Sequence, residues 1–141
     1  MKKYEFFEHT ADVKFKAYGN SLEEAYKNSA LAFYNVMTDI TKLKPASTLE
    51  IEVSSNTYEA LLYDFLTELI FYVDTEGFLG CDVSSLKITK KEEGFLLKVK
   101  IKGTYIKNID EAEVYSYVKS MTYNELIIDK KTNTIQVVLD I

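Results

Sequence analysis

Val13-Lys14-Phe15-Lys16-Ala17-Tyr18 alternates apolar and polar side chains, the period of a half-buried strand. Gly19-Asn20 turns the chain, and Ser21-Leu22-Glu23-Glu24 reads as a capping box. Behind it, Leu22, Ala25, Tyr26, Ala30, Phe33, Tyr34 and Met37 recur at helical spacing, which predicts a helix over 21–39. Lys44-Pro45 breaks the pattern. Leu49-Glu50-Ile51-Glu52-Val53 alternates strictly and predicts a second strand. Asn56-Thr57-Tyr58-Glu59 is a second cap, with the acid three residues after Asn56. Leu61, Leu62, Phe65, Leu66, Leu69, Ile70 and Val73 then form a broad apolar face on a helix that runs to about Asp74 and stops before Gly77. Its apolar face is the wider one, so it is expected to be the more buried of the two helices.

The second half carries no comparable helix. Residues 86–88 and 95–101 predict a hairpin turned at 91–94, with Phe95, Leu97, Val99 and Ile101 on one face. Residues 108–113 form an acidic loop or helical turn. Residues 118–128 and 134–139 predict two further strands, turned at 129–133. Two helices on a mixed or antiparallel sheet of about six strands make an α+β sandwich of two layers. No linker or low-complexity segment divides residues 1–141, so a single domain is expected.

Composition narrows the chemistry. All 17 basic residues are Lys, so the chain has no guanidinium clamp for phosphate or carboxylate. With 22 acidic residues the net charge is −5, which disfavours strong direct nucleic-acid binding. A single His, His9, rules out paired-His metal sites, and no GxSxG or GxxxxGK[ST] is present. The lone Cys81, after Gly80 in an expected loop, reads as an inert thiol. Neither a signal-peptide run nor an apolar stretch of spanning length occurs, so a cytoplasmic protein without membrane association is expected.

Three clusters carry the candidate chemistry. In the last strand Ile135, Val137 and Leu139 point one way, while Gln136, Val138 and Asp140 point the other. Asp140 precedes Ile141 and its main-chain carboxylate. If the strand around Val13 pairs with this one, Asp12 joins them. Carboxylates gathered in one place repel unless a cation neutralises them, and oxygen ligands select Ca²⁺ or Mg²⁺. The alternative is that each Asp is a turn former. His9-Thr10-Ala11-Asp12 frames a small polar pocket or an Asx-type turn. In Val118-Lys119-Ser120-Met121-Thr122-Tyr123, Lys119 either blunts an edge strand or faces the carboxylates as a counter-charge.

Together these clusters, with Ala17-Tyr18-Gly19 before Ser21-Leu22-Glu23-Glu24 and the apolar helix through Leu61-Leu62-Tyr63-Asp64-Phe65-Leu66, resemble the archease family along essentially the whole chain. The resemblance implies a non-enzymatic activator of the RtcB-type RNA ligase, which joins tRNA halves using GTP and Mn²⁺. It implies that Asp12, Asp140 and Ile141 belong to a divalent-metal site, Ca²⁺ first and Mg²⁺ or Mn²⁺ second. It also implies that Lys119 takes part in activation, promoting guanylylation and multiple turnover of the ligase. Asp39, in the family-like stretch Val36-Met37-Thr38-Asp39, and His9 stand in reserve. The chain departs from the family pattern at Asn124, where His is common, and at Thr104, where an acid is common. Two other function classes compete: a stand-alone metal-dependent phosphoester hydrolase, and a metal-independent, chaperone-like binding module.

Overall fold

The computed structural model describes residues 1–7 and 12–141. The first helix, α1 (Leu22–Met37), begins where the capping box places it. The Ser21 hydroxyl accepts from the Glu24 N–H at 3.1 Å. Glu24 in return accepts the N–H of Asn20 at 3.0 Å, one residue further out than in the standard box. The second helix, α2 (Tyr58–Glu76), is capped by Thr57, which accepts from Ala60, and not by Asn56. It ends on Gly77, whose φ of 67° is a left-handed conformation that closes a helix without a Cβ penalty.

Among the described residues the strands divide into two antiparallel sheets where the sequence pattern predicts one. The first holds β1 (Tyr4–Phe7), β2 (Asp12–Tyr18), β8 (Thr134–Asp140) and β6 (Ser120–Met121) in that order. A further strand, β7 (Ile127–Asp129), also pairs with β8. The second has the order β3 (Ser47–Ser55), β5 (Phe95–Tyr105), β4 (Phe78–Lys90). Both helices touch both sheets, so the α+β class stands with the core shared between layers. Among the described residues no helix is long and apolar enough to cross a membrane.

Burial reverses the expected ranking of the helices. Most of α1 is buried, including the polar Asn28 and Ser29, whereas α2 buries one face. Asn28 donates to the Tyr18 carbonyl at 2.6 Å and Ser29 to the Ala25 carbonyl at 2.9 Å, which makes their burial tolerable. Ala25, Ala30 and Ala32 let β2 and β4 approach the helix closely. Hydropathy alone ranks these small and hydrogen-bonded side chains as poor core formers.

The expected strand over 118–128 is interrupted. Only Ser120–Met121 and Ile127–Asp129 pair with β8. Between them Tyr123 and Leu126 close a turn, with Glu125 at φ 57°, and the Tyr123 ring stacks on Tyr63 of α2 at 4.2 Å. Cys81 lies inside β4 instead of a loop, and burial pushes its thiol pKa up. Next to it, Gly80 faces Gly103 across β4 and β5. A Cβ at Gly80 would lie 2.5 Å from the Tyr34 ring, so the ring rests directly on backbone.

The Tyr34 side chain is fully buried and its hydroxyl has no hydrogen-bond partner among the described residues. An unpaired buried hydroxyl costs about 1–3 kcal/mol. Tyr34→Phe is therefore expected to raise unfolding free energy by about 1 kcal/mol, measured by urea denaturation. A loss of stability would show that the hydroxyl is satisfied by a buried water.

Candidate functional site

The site grows from one strand pairing. Phe15, Ala17, Ile135, Val137 and Leu139 are all fully buried, and they fix how β2 lies against β8. A one-residue slip would turn this apolar set away from the core that it shares with the helices, so the register is strongly determined. That register runs from Tyr18 opposite Thr134 to Asp12 opposite Asp140. Residues directly opposite on antiparallel strands have Cα atoms about 4.5–5.5 Å apart. Two carboxylates therefore share one end of the sheet.

β6 brings the third candidate to the other side of Asp140. The Lys119 N–H donates to the Asp140 carbonyl at 2.7 Å. Ser120 pairs with Asp140, and its hydroxyl donates to Asp140 Oδ2 at 3.3 Å. Val118, buried just before Lys119, anchors the segment. Lys119 itself is exposed, so the Lys in the strand-like run occupies no apolar face. Ile141 follows Asp140, half-buried against the core. The β2–β8–β6 pairing thus brings Asp12, Asp140 and the residues flanking these strands, Lys119 and Ile141, to one end of the sheet.

Sequence reasoning passed over two neighbours. Ser120 was legible only as part of the Val118–Tyr123 motif, and its contact with Asp140 depends on the β6–β8 register. Lys14, two residues from Asp12 on the same face, forms an ion pair with Glu125 at 3.1 Å. Glu125 reaches it from the turn before β7, and its carbonyl accepts from Gln136 at 2.9 Å. No local pattern links residues 14 and 125.

Carboxylate and hydroxyl oxygens, as a class of donor, suit Ca²⁺, Mg²⁺ or Mn²⁺ better than zinc. Like charges facing each other across strands are unfavourable without a counter-charge. Among the described residues no group of three or more His, Cys, Asp and Glu side chains gathers at one point. Among the described residues, the strand register brings the Asp12–Asp140 pair to this end. His9 lies outside the described residues.

Asp39 is not brought to this end. It caps the 3-10 turn Ile40–Lys42, accepting from the Thr41 N–H at 3.1 Å and the Thr41 hydroxyl at 2.7 Å. Its charge acts on Tyr4, whose pKa is raised mainly by burial and then by Asp39. Tyr4 pairs with Ala17, five rungs of β2 from Asp12, or about 17 Å at 3.3 Å per residue. The acid after α1 that would oppose the helix dipole is used as a cap for the next turn.

The Thr41 hydrogen bonds hold the Asp39 carboxyl below its ordinary pKa. Because its folded pKa is the lower one, its contribution to stability is present above the unfolded pKa and fades as pH falls through the folded value. Thr41→Val is expected to move the Asp39 titration upward, towards that of an unperturbed aspartate, when followed by NMR. An unmoved titration would assign the shift to another group.

The chain matches the model of the Archease protein family (MTH1598/TM1083) over residues 4–141. It is 41% identical to protein archease of Thermococcus kodakarensis over 130 residues, 92% of this chain and 90% of that one. It is 36% identical to protein archease of Methanosarcina acetivorans over 143 aligned positions, 99% and 97% of the two chains. The solution structure of Methanobacterium thermoautotrophicum protein 1598 superposes with a TM-score of 0.81 at 36% identity, covering all of both chains. Sequence, length and fold agree, and the chain belongs to the archease family.

Proposed function

We propose that this protein is a non-enzymatic activator of an RtcB-type RNA ligase in tRNA splicing, acting in the cytoplasm and promoting guanylylation and multiple turnover of the ligase. The observation that carries this reading is the register that sets Asp12 opposite Asp140, with Lys119 hydrogen-bonded to the same residue. Asp12 and Asp140, with Ile141 beside them, would hold a divalent cation, Ca²⁺ first and Mg²⁺ or Mn²⁺ second. When bound, such a cation offsets the carboxylate repulsion and supplies positive charge for a phosphate oxygen.

The chain's own residues do the remaining work. Ser120 donates to Asp140 Oδ2 and orients that carboxylate. The Lys119 main chain anchors the rim of the site, which leaves its ammonium in solvent to meet a phosphate or a nucleotide-binding loop of the ligase. The net charge of −5 suits docking against a basic, RNA-binding enzyme. Turnover by the chain alone would need a nucleophile or base beside the acids, and the sequence offers a single His and no Arg.

Asp12→Ala and Asp140→Ala are each expected to abolish ligase stimulation while costing under ~0.5 kcal/mol of stability, because neither acid fills the core. If both acids serve one site, the double variant loses little more than either single. Circular dichroism, thermal melting and multiple-turnover ligation with sub-stoichiometric ligase read these outcomes. Stimulation at the unsubstituted level by either single variant would remove the shared site.

Lys119→Ala is expected to lower stimulation more than Lys91→Ala, which alters a solvated turn Lys. Equal effects would make Lys119 a mere edge charge. Ca²⁺ at a hundredfold excess over its dissociation constant is expected to stabilise the fold by about 2.7 kcal/mol. A melting temperature indifferent to Ca²⁺, Mg²⁺, Mn²⁺ and EDTA would remove the cation. Phosphoester turnover by the purified chain would favour a hydrolase instead.

A further inference from the structure

The second sheet ends on a strand edge unlike the others. β3 pairs with β5 over nine residues without a register shift, from Ser47 opposite Gly103 to Ser55 opposite Phe95. Among the described residues, no backbone hydrogen bond joins residues 48–54 to anything but β5. In an antiparallel ladder every second residue of an edge strand turns its N–H and C=O outward, so β3 presents a regular row of pairing groups.

The other edges are blunted. β4 shifts register twice, and the Glu23 carboxylate accepts the Ile88 N–H at 2.7 Å. β1, β6 and β7 are four, two and three residues long. Among the described residues, β3 carries no Pro, no bulge and no capping side chain on its edge.

The charge on this edge selects its occupant. Thr48, Glu50, Glu52 and Ser54 are exposed on the outer face, while Ile51 and Val53 are buried on the inner one. A second copy of the chain aligned antiparallel over all nine residues would set Glu50 against Glu52 twice, which is unfavourable. A strand with Lys or Arg at alternate positions would instead meet both carboxylates. Glu50 and Glu52 already face Lys100 and Lys98 of β5 across the ladder, with Glu50 to Lys100 at 3.4 Å. An added basic strand extends this alternation of charge by one column.

We propose that the free edge of β3 is a docking surface for an extended basic segment of a partner protein, recognised by strand addition with Lys or Arg side chains opposite Glu50 and Glu52. This surface is on the other sheet from Asp12 and Asp140 and does not depend on the cation reading.

The test uses the full chain and labelled nine-residue peptides. One alternates Lys and Val, one alternates Glu and Val, and one is the Lys peptide with every backbone nitrogen methylated. The Lys peptide is expected to bind by fluorescence anisotropy and to shift or protect the amide signals of β3 in NMR. The Glu peptide is expected to bind about tenfold more weakly. The methylated peptide keeps its charge but cannot pair, and its binding is expected to be lost. Glu50→Lys with Glu52→Lys is expected to exchange the preference, and the milder Glu50→Gln with Glu52→Gln to remove it. Equal binding of the methylated peptide, unaltered β3 amides, or an unchanged preference in the folded variants would each overturn the proposal. Self-association of the unsubstituted chain through β3 would overturn it as well.

Discussion

The pairing of β2 with β8 is the constraint on which the rest depends. It joins residues from opposite ends of the sequence, and its register is held by a strip of fully buried side chains from Phe15 and Ala17 to Ile135, Val137 and Leu139. The same strip that closes the core faces Asp12 and Asp140 at each other. Stability and site geometry are therefore one property here: the apolar face cannot be satisfied without confronting the two acids on the opposite face.

A second layer of dependence runs through α1. It is wedged between β2 of one sheet and β4 of the other, and both contacts rely on the absence of bulk. Alanines on the helix and Gly80 on β4 bring backbones close, and Tyr34 fills the remaining space against Gly80 and Phe78. Beyond the helix, the Thr38 hydroxyl donates to the Glu113 carbonyl at 2.7 Å, and Tyr115 hydrogen-bonds to Met37 and Asn35. These contacts lay residues 110–119 over the end of α1 on their way to Lys119. The position of Lys119 is thus set by the helix end as well as by β8.

What could be read from the sequence was local. Ser21 and Glu24 announce α1 because a cap is made among neighbours, and Gly77 announces the end of α2 because a left-handed residue is needed there. Strict alternation revealed β2, β3 and β8. It assigned Asp140 to one face of its strand but could not supply the partner, so the approach of Asp12 followed only once β2–β8 pairing was assumed. β1 went unread because Phe6 and Phe7 are adjacent and break the alternation. The division into two sheets, the deep burial of Asn28 and Ser29, and the contacts made by Ser120 and Glu125 were illegible. Each is decided by residues far away in sequence. The break in 118–128 belongs with them, since the Tyr63–Tyr123 stack and the αL turn at Glu125 outweigh β propensity.

The separation between β2 and β8 also has a kinetic meaning. Nearly the whole chain forms the loop that their pairing closes, and the entropy of closing it must be met before the buried strip rewards it. Such non-local pairing slows folding, while the β4–β5 hairpin and the two capped helices can form from neighbours. During synthesis, at about 5–20 residues per second, β2 has no partner strand on its β8 side until β8 leaves the ribosome. Asp12 therefore spends most of translation apart from Asp140. The register that opposes the two acids exists only once β8 has emerged, so assembly of the pair is itself a report that β8 has been made.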